Sequence, residues 1–315
     1  MYRIAVIICT YNPNLLYLEQ VFDALKAQTF SVNNWELIIV DNKSETPLSG
    51  TNDVTWHPNG RLVLENNLGT SNARARGIAE ANAEIIVFVD DDNCLKSDYL
   101  QIVSDRFYQN KMIGVLGAGI VRVQFETQPS AEALPYTYFF GRHDDNPIFS
   151  NAIDCTKAIP FGAGMAIQRT LALNYLESLK KRPASTFLGR VGRIALAPGE
   201  DDDIALHACQ KGYLTGVIPQ LELLHLIPEW RVQPTYIIKA AAGLAYSHFM
   251  LGMLWGYLPD YPENSLLKKL RYLKQIIRLK GLTRQIFIAR YKAVEEARSV
   301  WNKALKAGLT NLQNA

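Results

Sequence analysis

Over residues 1–90, short apolar runs alternate with stretches of helical period. Residues 4–9 (IAVIIC) read as a buried strand, closed by the turn Thr10-Tyr11-Asn12-Pro13-Asn14 and followed by a helix over about residues 15–27. A second strand at residues 37–40 (LIIV) ends in Asp41-Asn42, and a short third covers residues 62–64. The polar segment 67–72 (NLGTSN) leads into a helix through Ala81, and residues 85–89 (IIVFV) form a strand that runs directly into Asp90-Asp91-Asp92. Strands alternating with helices imply right-handed crossovers and a largely parallel sheet, whose ligands lie beyond the carboxyl ends of the strands. Residues 10–12, Asp41-Asn42 and residues 90–92 all fall at such ends, so the pattern gathers three polar clusters on one edge of the sheet.

Downstream, residues 129–160 are less regular, with aromatic and charged side chains mixed around residues 136–145. Order resumes at residues 161–167 (FGAGMAI), and residues 203–211 read as a helix stopped by Gly212. Residues 240–258 form a run without Asp, Glu, Lys or Arg, just long enough to span a bilayer. Its Ala and Gly content, with Tyr246, Ser247 and His248, favours a buried or interface-lying helix over a span. After residues 259–262, Leu266, Leu270, Leu273 and Ile277 form a helical stripe flanked by Lys268, Lys269, Arg271, Lys274 and Arg278. A basic amphipathic helix of this kind suits peripheral contact with an anionic membrane. The plainer alternative is a solvated basic face that packs its stripe against the catalytic domain or a partner.

With 315 residues and 48% hydrophobic side chains, the chain buries a substantial core, which excludes a disordered protein. The expected division is a catalytic domain over residues 1–232 and a helical, basic region over residues 233–315. Cys9, Cys94, Cys155 and Cys209 are scattered, with no spacing that suggests zinc or a disulfide framework. The N-terminus enters a short apolar strand at once, which is unlike a signal peptide. Both features point to the cytoplasm. The net charge of +3 conceals an asymmetry: residues 268–306 carry twelve Lys or Arg against two Glu, leaving the remainder of the chain at −7. An acidic body without a basic-aromatic surface motif is a poor nucleic-acid binder.

Asp90, Asp91 and Asp92 form one acidic cluster; Glu200, Asp201, Asp202 and Asp203 form another, opening a helical pattern. Carboxylates packed so closely repel one another, and a cation or a proton-transfer task offsets that repulsion. Asp90 and Asp92 make a D-x-D pair able to hold Mg2+ or Mn2+ against diphosphate oxygens. The competing reading is that residues 91–93 cap a helix beginning near Ser97. The second cluster follows Pro198-Gly199, where a helix N-terminus stabilises anions and lowers their pKa, so a carboxylate there accepts a proton while ionised at neutral pH. Capping by Asp202 or Asp203 competes with this role. His225, in an apolar stretch, reads by itself as a core histidine.

In order, ICTYN at residues 8–12, IIVDNKS at 38–44, NLGTSNARARGI at 67–78, FVDDDN at 88–93 and GEDDDI at 199–204 resemble family 2 glycosyltransferases, the inverting nucleotide-sugar enzymes. The resemblance covers roughly residues 3–232. It implies the GT-A fold: α/β, Rossmann-like, a mostly parallel central sheet flanked by helices, here with a helical C-terminal extension. It also implies that Thr10, Tyr11, Asn12 and Asp41 line the nucleotide pocket, with Asp41 reading base or ribose. Arg74, Asp90 and Asp91 join the nucleotide-sugar site, although Ala75 stands where the family's A-R-N-x-G segment has Asn. Asp92 is the more direct metal ligand, with Asp90. Asp201 matches the family's catalytic base, with Glu200 as the alternative. Residues 162–167 resemble the acceptor-side G-A-N-M-A segment, with Gly164 where Asn is frequent. His225, followed by IPEWR, resembles a segment that makes it a metal or diphosphate contact, with Arg231 nearby.

The implied reaction is metal-dependent, inverting transfer from a nucleoside-diphosphate sugar, UDP-sugars first among them, to a hydroxyl of a glycan or lipid-linked saccharide, in cell-surface polysaccharide synthesis. A nucleotide-sugar-binding scaffold that has lost turnover is the alternative from another class. A nucleotidyltransferase would also use paired aspartates, but this chain lacks an N-terminal Gly-rich phosphate loop.

Overall fold

The strand β1 (Tyr2–Thr10) is buried along almost its whole length and lies between two parallel neighbours, β2 (Trp35–Asp41) and β4 (Ala83–Asp90). The computed structural model describes residues 2–48, 54–154, 156–182, 188, 199–257 and 266–309, with residues 266–269 described in the backbone alone. Cys155, Pro198, residues 258–262 and the side chains of Leu266, Lys268 and Lys269 therefore lie outside the described residues. β3 (Gly60–Leu64) extends the parallel set beyond β2. The parallel strands read as near-continuous Val, Ile and Leu because both faces of such a sheet are covered.

Two helices cover these strands for local reasons. In α1 (Leu15–Lys26), Asn14 caps the N-terminus by accepting from the Leu16 N–H at 3.0 Å, and Leu18, Val21, Phe22 and Leu25 recur at helical period to form the buried stripe. α2 (Thr70–Glu80) approaches β1 closely through Gly77, where a Cβ would stand 2.5 Å from Ile7 Cγ2.

Past β4 the sheet changes character. Its order among the described residues is β3-β2-β1-β4-β9-β6-β10-β5, with β9 (Ala166–Gln168) antiparallel to both β4 and β6 (Ile113–Phe125). β5 (Asn93–Leu95) runs antiparallel to β10 (Leu214–Ile227). Short β7 (Arg142–His143) and β8 (Ile148–Ser150) pair with β6 and β10. The parallel arrangement thus holds for the four N-terminal strands, and the whole sheet is mixed. α3 (Tyr99–Gln109), α4 (Arg169–Lys181) and α5 (Glu200–Gln210) complete this part. A core of Ile4, Val6, Ile8, Leu37, Val87, Tyr99, Leu116 and Leu221 joins both halves of the sheet.

The chain divides into two compact units, one of residues 1–124, 139–178 and 200–227, the other of residues 125–138, 179–199 and 228–315. The first holds the sheet. In the second, α6 (Pro234–Trp255) packs against α8 (Gly281–Lys306), with α7 (Leu266–Arg278) between them in sequence. Ala133, Ile237, Ala241, Leu282 and Ile286 form a small core there. α6 is, among the described residues, the one helix long and apolar enough to cross a membrane, and 61% of its most apolar window is buried inside the protein. That burial accords with a core helix.

Candidate active site

Pairing register brings the three polar strand ends together: Thr10 lies opposite Asp41, and Cys9 opposite Asp90. The Thr10 hydroxyl donates to Asp91 Oδ2, and the Asn42 N–H donates to the Thr10 carbonyl at 2.8 Å. Asp41 is buried, and its carboxylate accepts from the backbone N–H groups of Ser44 (2.8 Å) and Leu48 (3.2 Å). Asn12, with φ of +49°, clasps the same loop: its N–H donates to Ser44 Oγ at 2.9 Å, and its Oδ1 accepts from Glu45 N–H at 2.8 Å. Each carboxylate oxygen has two lone pairs, so Asp41 shapes this wall and retains acceptor capacity. Tyr11 is half exposed.

Asn42, which the sequence shows only as part of a polar cluster, turns out to organise the next loop. Its Nδ2 donates to the carbonyls of Glu65 (3.1 Å) and Asn67 (2.7 Å), and its Oδ1 accepts from Gly69 N–H at 2.7 Å. An Asn directly after a strand-end Asp was the available signal, since Asn stabilises turns through its own amide.

The reading of residues 91–93 as a helix cap is overturned. β5 intervenes, and Asp98 occupies the position before α3. Instead the β5–β10 pairing sets Asn93 opposite His225, and the Leu226 N–H donates to the Asp92 carbonyl at 2.9 Å. Asp92 is buried, its Oδ1 accepting from Asn93 Nδ2 at 2.5 Å and its Oδ2 standing 3.7 Å from His225 Nε2. His225 Nδ1 lies 2.8 Å from the Phe140 carbonyl, which can only accept, so Nδ1 carries the proton. In the neutral ring Nε2 then presents a lone pair on the side of Asp92, the arrangement by which proteins orient a metal-binding imidazole. Among the described residues no three His, Cys, Asp or Glu side chains group as a metal cluster.

The second acidic cluster forms the first turn of α5, which begins at Glu200, three residues before the start the sequence suggests. Gly199, at φ of +123°, turns the chain into the helix. The four carboxylates have different surroundings. Glu200 Oε2 accepts from the Ser71 hydroxyl at 2.8 Å, Asp201 Oδ2 from the Gly162 N–H at 2.8 Å, and Asp203 Oδ2 from the buried Tyr175 hydroxyl at 2.9 Å. Asp203 is therefore a structural carboxylate.

Arg74 is buried on α2, its guanidinium 5.2 Å from the centre of the Phe88 ring. Burial alone would weaken its charge, but Glu200, Asp90 and Asp201 outweigh that effect and raise its pKa. Space around it is close: a Cβ at Gly162 would stand 2.6 Å from Arg74 Nη2 and 3.0 Å from Asp201 Oδ2. Burial raises the Glu200 pKa, with Arg74 and Ser71 opposing it, and raises Asp202 to about 8, reinforced by Asp201 and Asp203. At these two positions burial prevails over the stabilising helix terminus that the sequence suggests. Cys9 is held protonated mainly by burial, which removes it as a nucleophile.

Gly164 accounts for one departure from the resemblance. Its φ of +74° is a conformation open to Gly and tolerated by Asn, and a Cβ there would stand 2.5 Å from the Tyr99 hydroxyl, which donates to the Gly164 carbonyl at 2.7 Å. Nothing in the structure explains Ala75.

The family model described as glycosyl transferase family 2 matches residues 5–168, just over half of the chain. That stretch runs from β1 to β9 and stops before Asp201 and His225. No curated protein sequence matches the chain. Among solved structures, a mannosyltransferase of Pyrobaculum calidifontis, PcManGT, in complex with GDP-Man and Mn2+, is similar at 20% identity and a TM-score of 0.55, covering 98% of this chain and 76% of its own. TarS of S. aureus, residues 1–349, is 13% identical with a TM-score of 0.48, covering 97% of this chain and 92% of its own. The strand order, the family match and the strand-end carboxylates converge: the chain belongs to glycosyl transferase family 2 and is a glycosyltransferase of the GT-A fold.

Proposed function

We propose that the protein transfers a sugar, with inversion, from a nucleoside-diphosphate sugar to a hydroxyl of a glycan or lipid-linked saccharide, in cell-surface polysaccharide synthesis on the cytoplasmic side. Catalysis is assigned to residues 1–232. The observation that carries this reading is the setting of Asp201, whose carboxylate lies in the first turn of α5, accepts the Gly162 N–H at 2.8 Å and shares the charge neighbourhood of buried Arg74.

Thr10, Tyr11, Asn12 and Asp41 form the wall proposed to hold the nucleotide, with Tyr11 presenting its ring to the base and Asp41 fixing the loop against which the ribose lies. Asp90, Asp91 and Arg74 border the diphosphate and sugar. The Asp92–His225 pair fits Mg2+ or Mn2+, because one carboxylate and one imidazole of fixed tautomer leave room for diphosphate oxygens and water. A bound divalent cation would supply positive charge at the departing diphosphate. The Pyrobaculum mannosyltransferase binds GDP-Man and Mn2+, and the same ligand classes are proposed here.

Asp201 takes the proton from the acceptor hydroxyl as it attacks the anomeric carbon from the face opposite the leaving group. The Gly162 N–H holds this carboxylate in place at the start of the helix. Glu200, whose Oε2 is anchored by the Ser71 hydroxyl, is the less suitable base. The test is a screen of UDP, GDP, dTDP and CDP sugars with and without Mn2+, reading calorimetric binding and release of nucleoside diphosphate. Metal-dependent binding with turnover of one donor is expected; no binding to any donor would overturn the proposal.

A further inference from the structure

α7 has two distinct faces. Tyr272 and Ile276, with Leu279 just past the helix end, are partly buried, and Tyr272 stacks on Phe287 (5.7 Å between ring centres) and Tyr291 (4.0 Å) of α8. This is the face that docks the helix. Leu270 and Leu273 are 54% and 53% exposed and Ile277 is 81% exposed, so three large aliphatic side chains form a second stripe that α8 does not cover. Arg271, Lys274 and Arg278, all exposed, lie beside it, and residues 266–278 contain five Lys or Arg and no Asp or Glu.

A helix that packs with aromatics on one side and shows an aliphatic stripe edged by cations on another presents two complementary signals to one kind of surface. Aliphatic side chains gain by leaving water for an apolar phase, and adjacent cations gain near a layer of negative charge. An ordinary solvated basic face has no use for three exposed aliphatics in register, and a protein groove would not require an uninterrupted positive edge. We propose that the outer face of α7 is a membrane-docking surface, with Leu270, Leu273 and Ile277 entering the headgroup–acyl boundary of an anionic bilayer and Arg271, Lys274 and Arg278 at the phosphate level.

The test is co-sedimentation of the full-length protein with phosphatidylglycerol or phosphatidylcholine vesicles at low and high salt, with no donor or metal present, so that it reads docking independently of transfer. Binding to the anionic vesicles, weakened by salt and absent with the neutral ones, is expected. The Leu273→Ser/Ile277→Ser variant should lose at least tenfold in partitioning. The Arg271→Gln/Lys274→Gln/Arg278→Gln variant should lose roughly a hundredfold, at about fivefold per cation near the surface. Because these side chains are exposed, both variants should keep the wild-type unfolding midpoint and the wild-type turnover of a soluble acceptor. Wild-type protein that stays in the supernatant with phosphatidylglycerol at low salt would overturn the proposal, as would variants that sediment like wild type. Sedimentation without vesicles would mean self-association through the stripe. Binding to single-stranded RNA that survives the aliphatic substitutions would mean a general polyanion site; either result overturns it.

Discussion

His225 Nε2 stands 3.7 Å from Asp92 Oδ2, a juxtaposition produced by the antiparallel pairing of β5 with β10. The Phe140 carbonyl fixes the ring from behind by accepting from Nδ1. If this pair holds the divalent cation, His225→Ala should raise the half-saturating Mn2+ concentration about 10- to 100-fold, the usual cost of losing a ligand or its orienting partner. Binding of nucleoside diphosphate without metal should be unchanged. An unaltered Mn2+ response would remove His225 from the site.

Arg74 balances several carboxylates in a buried setting. Arg74→Met should destabilise the protein by about 3–5 kcal/mol at neutral pH, because it leaves those charges uncompensated. The penalty should shrink as pH falls and the carboxylates around Arg74 take up protons, Glu200 among them, its pKa raised by burial. Urea unfolding of both proteins at pH 5 and pH 7.5 checks this; an equal penalty at both values would contradict the placement of Arg74.

Asp202 has a native pKa near 8 against an ordinary 3.8, so between these values the native state holds more protons than the unfolded chain. Stability is then fully present below about pH 4 and falls as pH rises through 8. Asp202→Asn should remove that slope and gain about 2 kcal/mol over wild type at pH 8.5, discounted for the partial exposure of the group. Denaturation midpoints from pH 5 to 9 supply the measurement, and parallel curves for the two proteins would refute it.

Gly164→Ala should cost about 2 kcal/mol, through its positive φ and the approach of Cβ to the Tyr99 hydroxyl. Tyr99→Phe in the same chain should recover part of that loss, so the pair should be non-additive in a double-mutant cycle. Strict additivity would mean that the two residues do not meet.

Much of this was legible in the sequence where the signal is local. Apolar runs at β1, β2 and β4 end at the right polar residues, because a parallel sheet covered on both faces needs continuous hydrophobes and leaves its polar groups to the strand ends. The second half of the sheet was less legible: β9 and β5 are three residues each and owe their existence to pairing partners far away in the chain. The same non-locality hid the contact of His225 with Asp92, and family resemblance alone raised His225 above an ordinary core histidine. α5 starts at Glu200 rather than Asp203 because Ser71 and Gly162, distant in sequence, supply the partners that settle Glu200 and Asp201 in its first turn. Along α7 the sequence displayed one aliphatic stripe, and which side of the helix would be covered depended on the stacking of Tyr272 on α8.

The central claim is that Asp201, held by the Gly162 N–H in the first turn of α5, is the base. The direct measurement is single-turnover transfer by Asp201→Asn alongside calorimetric binding of the donor, with Glu200→Gln as comparison. Asp201→Asn should lose on the order of a hundredfold or more in rate while binding donor within about threefold of wild type. Near-wild-type turnover by Asp201→Asn, or a larger loss in Glu200→Gln than in Asp201→Asn, would contradict the account.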